Sequence, residues 1–317
     1  MMSENKVLNT LRKFPPVVYM LVLLIILFSL LNPNYFAANN FRNVFIQCAP
    51  LMVLAFAQTL VVLTGGTNLS MNAVVNIVTV LAVFMALKGV PLVLAMVIAV
   101  VAAIGIGIFT GILIAKGHMP AFIATYGVQN VFNALALTIT GGASIYYNSN
   151  LYHRVYSSSL LFIPTPVCVV IVMFIFTWIL LNKSKLGMQI RALGGNREAL
   201  KLAGVNVVRS EITVYAVAGF LGGIAGLLTL CRVESGQPIV ANGWEFQSVA
   251  AAILGGSSFK EGKGGVTGTI FGVLLIQIAQ NGLNVIGVQA IYQSVLVGSI
   301  VLAAIIIDAV VRMRRRD

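Results

Sequence analysis

Asn68, Asn72 and Asn76 recur every four residues in a largely apolar run, which stacks three amides on one face of a helix. Tyr126, Asn130 and Asn133 repeat the arrangement at i, i+4 and i+7, and Gln277, Asn281 and Asn284 repeat it once more. An amide both donates and accepts hydrogen bonds, so three such stripes facing one another would line a path suited to the hydroxyls of a neutral polyol or sugar. The same amides can instead be glue between membrane helices, at roughly 0.6–2 kcal/mol per bond. Acids are nearly absent from these runs. Asp308 is the exception, and Arg312, one turn on, offers it an ion pair; a proton relay is the alternative reading of that acid.

Other chemistries are not encoded. Cys48, Cys168 and Cys231 lie in or beside apolar runs without paired spacing, which indicates neither a disulfide framework nor a metal site. "GGSSFKEGKGG" looks like a phosphate loop, but five residues separate Gly256 from Gly262. Gly264 also stands where a Ser or Thr would hold Mg²⁺, so no ATP site is expected. His118 and His153 fall on opposite sides of the topology derived below, and the acids are scattered, so no enzyme active site is expected.

The elements that must position these residues are membrane helices. Of 317 residues, 59% are hydrophobic and 9% charged, far below the ~25% charged of soluble domains. Continuously apolar runs predict an all-α polytopic membrane protein, a single permease-like domain over 1–317. About ten spans are expected: Val17–Leu31, Val44–Leu63, Leu69–Leu87, Pro91–Ala115, Ala121–Thr140, Ile163–Leu181, Ile212–Leu230, Phe246–Gly255, Val266–Asn284 and Ala290–Val311. The eighth is too short to cross at 1.5 Å per residue, so a broken or re-entrant helix is expected near 246–256. Small residues four apart, Gly219 with Gly223 and Gly264 with Gly268 and Gly272, would let helices approach closely.

The net charge of +12 reads as topology rather than as affinity for nucleic acid. Placing the N-terminus inside puts sixteen of the 20 basic residues inside, among them Lys6, Arg12, Lys13, Lys116, Lys260, Lys263 and Arg312, Arg314, Arg315 and Arg316. Only Arg42, Lys88, Arg154 and Arg232 fall outside. Both termini are thus expected in the cytoplasm of a bacterial cell, with the protein in the inner membrane. The longest outer connection, 141–162, carries Tyr146, Tyr147, Tyr152, Tyr156, His153 and Arg154; these are interface anchors or a docking surface for an external partner.

One polar stretch, 182–211, breaks the apolar pattern and carries Lys183, Lys185, Arg191, Arg197, Lys201 and Arg209. Asn196 is an N-cap, Glu198 and Lys201 suit the two ends of a helix dipole, and Gly204 can end the helix left-handed. A helix of about two turns is marginal alone in water, which predicts docking against something. A solvated loop between spans is the alternative.

"LGMQIRALGGNREALKLAGVNVVRSEITVYAVAGFLGGIAGLL", with "TLVVLTGGTNLSMNAVV", "PAFIATYGVQNVFNALALTITGG" and "GWEFQSVAAAILGGSSFKEGKGGVTGT", resembles the permeases of ATP-binding cassette importers for monosaccharides, the ribose, galactose, xylose and autoinducer-sugar family. The resemblance implies a homodimer in the lipid bilayer, a separate ATP-binding cassette ATPase that holds the ATP and Mg²⁺, and an extracytoplasmic solute-binding protein. This chain itself would need no cofactor. It also implies that Arg191, Gly195, Asn196, Arg197, Glu198, Lys201 and Gly204 belong to the segment that couples to the ATPase. The chain departs from the family where an acid has become Asn68, a glycine Asn72 and another acid Gln247. An ion-coupled secondary transporter is the competing class, and the scarcity of membrane acids argues against it. A non-transporting scaffold would need neither amide stripes nor the coupling segment.

Overall fold

The computed structural model describes residues 16–160, 163–259, 261–289, 291–293, 295–299, 302–303 and 306. Lys6, Arg12, Lys13, Lys260, Asp308, Arg312 and Arg314–Arg316 lie outside the described residues, as does much of the expected tenth span.

Among the described residues six helices are long and apolar enough to cross a membrane. They are α2 (Ala38–Val62), α4 (Leu92–Ala115), α5 (Ala121–Thr140), α7 (Thr165–Lys183), α10 (Val207–Val233) and α12 (Val266–Val285). Two apolar helices are shorter, α1 (Pro16–Leu31) and α3 (Met71–Leu87). The expected count of about ten is therefore met only in its coarser form, a helical protein of several spans. The eighth expected span is α11 (Trp244–Leu254), whose 11 residues reach only about halfway across a bilayer. Three further helices lie outside the spans: α6 (Asn150–Ser157), α8 (Lys185–Gly195) and α9 (Arg197–Leu202).

Helices α2 and α10 form the middle of the molecule, with 83% and 72% of their apolar windows buried, against 17% for α7 at the edge. Glycine sets how closely α10 can pack. A Cβ at Gly219 would overlap the carbonyl of Ala103 on α4, and one at Gly222 would meet Val74 on α3. Gly268 and Gly272 do the same for α12, pressed on Gly255 and Ala251. Gly264, expected in that row, lies instead in the loop before α12, against Ser257.

Hydrogen bonds and close contacts sort the loops into two ends. Gly194 abuts Leu63, Gly262 abuts Arg191 and Gly65 abuts Phe259, which gathers the loops near 64, 195 and 262. At the other end Asn32 bonds Val285, Tyr156 bonds Ile46, Arg232 bonds Gln47, and strand β1 (Ile145–Tyr146) pairs antiparallel with β4 (Ser235–Gly236). A second two-residue pairing joins β2 (Ser159–Leu160) antiparallel to β3 (Ile163–Pro164), just before α7. The first end, which carries α8 and α9, is the basic one.

Candidate functional site

The basic end is built from three successive N-caps. Ser184 Oγ accepts from Gly187 N at 3.1 Å, Asn196 Oδ1 from Ala199 N at 2.9 Å and Asn206 Oδ1 from Arg209 N at 2.9 Å. Each cap satisfies a free donor of a first turn, so the stretch breaks into α8, α9 and the start of α10. Of these caps only Asn196 is singled out by the sequence reading, and α8 is not foreseen at all. α8 buries Gly187, Ile190 and Leu193 against the membrane helices. α9 buries none of its six residues. It has Glu198 in its first turn, Lys201 in its last, and Gly204 beyond it at φ 78°.

The expected coupling residues divide into three kinds. Arg191 and Arg197 turn back on their own chain: Arg191 donates to Gly264 O at 3.1 Å and to Asn182 Oδ1 at 3.3 Å, while Arg197 forks onto Glu211. Gly195, Asn196 and Gly204 shape the backbone around α9. Glu198 and Lys201 stand exposed and make no ion pair among the described residues. Beside them Leu202 is 88% exposed, an apolar side chain held out at the tip of a charged helix. Leu202 and Glu211 were not singled out from the sequence. Leu202 looks like one more apolar residue there, and the partner of Glu211 lies fourteen positions away. Behind α9 a cavity of about 720 Å³ opens between Arg197, Glu198, Lys201, Glu211, His118 and the Thr64–Gly66 loop.

The three amide stripes do not converge on one path. Asn68 and Asn72 are each 2% exposed and Asn76 0%. Asn68 Oδ1 accepts from the N–H and hydroxyl of Ser70, and Asn72 Oδ1 accepts from Ala73 N. Asn76 accepts from Ala241 N at 3.0 Å and donates to Asn133 Oδ1 at 3.0 Å, an interhelical bond. The second stripe splits: Asn133 turns inward to Asn76, while Asn130 donates to Tyr126 O of its own helix and both stand exposed.

The third stripe lines a cavity. Gln277, Asn281 and Asn284 line a cavity of about 640 Å³ at the end opposite α9, within the range of small-molecule sites. Gln47, Asn242, Gln247, Gln280 and Gln293 complete a set of eight amides, joined by Trp244, Phe246 and Arg232. Among the described residues no Asp, Glu or Lys lines it. Gln277 donates to Gln280 at 3.0 Å, and Asn281 exchanges two bonds with Asn40 at 3.0 and 3.1 Å. Gln247 Oε1 is shielded from solvent and accepts no hydrogen bond among the described residues. Near this wall Glu245 is 5% exposed, accepting from Gln129 at 3.4 Å. The wall offers donors and acceptors with one cationic group and an indole face, which suits a small uncharged polyhydroxylated molecule. Gln47 and Gln293 are not singled out by the sequence reading, because each is a lone amide without a stripe of its own, and Gln247 enters it only as a departure from the family pattern.

A family described as "branched-chain amino acid transport system / permease component" matches residues 40–305. The chain is similar to the ribose import permease of Bacillus subtilis, 36% identical over 91% of this chain and 90% of that one. It is also similar to the D-allose transport system permease of Escherichia coli (30%, over 92% and 90%) and the galactose/methyl galactoside import permease of Haemophilus influenzae (30%, over 97% of each). No solved structure matches it.

Proposed function

The chain belongs to the family described as the permease component of branched-chain amino acid transport systems, and from that premise we propose that it is the membrane subunit of an ATP-driven importer of a neutral monosaccharide. The observation that carries the transport reading is α9, a capped helix that buries none of its residues and holds Leu202 in solvent. Such a helix is stabilised by docking rather than by its own packing. An ATP-binding cassette ATPase at the basic end is the partner, with Glu198, Lys201 and Leu202 as its contacts. A solute-binding protein delivers the cargo at the other end, and two copies of the chain act together.

The cargo class rests on the amide cavity and on the relatives, which are named for ribose, allose and galactose. An amino acid would bring a carboxylate and an ammonium, and among the described residues the cavity has a single cation and no anion to meet them. Eight of the twelve described basic residues lie at the α9 end, and only Arg42, Lys88, Arg154 and Arg232 at the other. That bias supports α9, and both termini, on the cytoplasmic side of the inner membrane.

Proteoliposomes holding the permease and its ATPase, supplied with the solute-binding protein, should take up a labelled monosaccharide only with ATP. Uptake driven by an ion gradient without ATP would make the chain a secondary transporter and sink the proposal. In a Cys-free background, Ser149→Cys should label from outside intact cells with an impermeant thiol reagent, and Lys201→Cys only after permeabilisation. The reverse pattern would invert the assigned orientation.

A further inference from the structure

Arg197 opens α9 yet does not face away from the protein. Its guanidinium forks onto Glu211, Nη1 to Oε1 at 2.5 Å and Nη2 to Oε2 at 2.9 Å. The two ends of this pair sit in unlike surroundings. The Arg197 side chain is 49% exposed, on a helix with nothing buried, while Glu211 is 9% exposed on the second turn of α10. α10 packs along α4, α2 and α3, the interior of the molecule, whereas the main contacts of α9 are with α8 and the start of α10. A planar fork on a carboxylate fixes direction as well as distance. Among the described side-chain hydrogen bonds this pair is the one that joins α9 to α10, and α9 has no buried side chains to add a packed contact. One turn further along α10, Tyr215 directs its hydroxyl to Thr67 O at 3.4 Å. A Cβ on Gly66 would come within 2.9 Å of that hydroxyl. Arg197, Glu211 and Tyr215 thus form a line from α9 to the loop that opens α3.

We propose that the Arg197–Glu211 pair is the strut through which α9 moves α10, so that Arg197 is a positioning residue acting on its own chain and not a contact for the ATPase. The proposal rests on the reading of α9 as the helix that docks on that ATPase. Removing the strut leaves docking and ATP hydrolysis in place and lowers the solute moved per ATP.

The test uses the full complex of permease, ATPase and solute-binding protein, in a background lacking Cys48, Cys168 and Cys231. Arg197→Cys/Glu211→Cys is assayed for uptake per ATP hydrolysed, first reduced and then closed with a short bifunctional thiol reagent. The ratio should fall about 5- to 150-fold when reduced, the span of typical coupling energies, and recover on cross-linking. Arg197→Gln should hydrolyse ATP at a low ratio, and Arg197→Lys, which keeps the charge without the fork, should lie between. Equal ratios in the reduced, closed and unmodified proteins overturn the strut, as does a ratio that stays low after closure. In a separate preparation Leu202→Cys is cross-linked to the ATPase. Failure there overturns the docking reading itself, whereas success alongside unchanged ratios in the Arg197 variants overturns only the strut.

Discussion

Two amide stripes of nearly the same spacing and chemistry meet opposite fates in this molecule. Asn68 falls in the loop before α3 and not, as expected, on the helix, so only Asn72 and Asn76 share its face; all three are enclosed, and Asn76 is spent on Asn133 and on the backbone of Ala241. Gln277, Asn281 and Asn284 on α12 line a cavity. The difference lies in the neighbours. α3 is walled in by α4, α5 and α10. α12 runs 20 residues beside α11, which has only 11, so the antiparallel neighbour covers about half of it. The loop that carries Asn242 and Gly243 into α11 leaves one face of the outer half of α12 uncovered by α11, while α1 and α2 pack on its other side, with Gly282 against Phe28 and Asn281 bonded to Asn40. A broken helix thus turns a stripe of glue into the wall of a cavity, in keeping with the rule that irregular backbone at membrane depth lines a cavity or lies buried in protein.

The strongest way to break this contrast is charge. Asn72→Asp places a carboxylate at a position 2% exposed. A charge at the bilayer centre costs roughly 2.5–3.5 kcal/mol, and the position at the second residue of α3 returns about 0.3–1 kcal/mol through the helix dipole. Its thermal midpoint in detergent should drop clearly, while Gln277→Asp, facing the cavity, should melt within a few degrees of wild type. Equal losses would erase the distinction between the two stripes.

A smaller effect separates the neutral variants. Asn76→Leu leaves the Ala241 N–H without its acceptor and Asn133 without its donor, at about 1–3 kcal/mol for a buried orphan group. Gln277→Leu should leave stability within roughly 0.5 kcal/mol, as an unburied position does, and instead slow monosaccharide uptake. The comparison sharpens if the melting and uptake changes fall on different variants, and fails if both fall on Asn76→Leu alone.

The smallest effect is expected at Arg232, the single charge among the described residues of the cavity wall. Arg232→Gln should change uptake of a neutral sugar by no more than a few-fold, the scale of roughly 1 kcal/mol for one partly exposed contact. A collapse of uptake with intact folding would point to an anionic cargo and remove the neutral-sugar assignment.

What the sequence determined by itself is local. The membrane class, the break near α11, the Asn196 cap, the end of α9 at Gly204 and the close approach at Gly219 all follow from residues within a few positions of one another. Hydropathy, capping and small-residue spacing act over one or two turns, so a single stretch of chain contains both cause and effect. The tertiary structure alone decided where the polar groups point. Arg197 was legible as a basic residue at a helix start, but its partner Glu211 lies fourteen residues on, across the loop between two helices. Asn76 and Gln277 have the same amide chemistry and the same periodicity. Only the helix standing opposite each, brought there by packing across 165 residues in the case of Asn76 and Ala241, makes one a buried tie and the other the wall of a cavity.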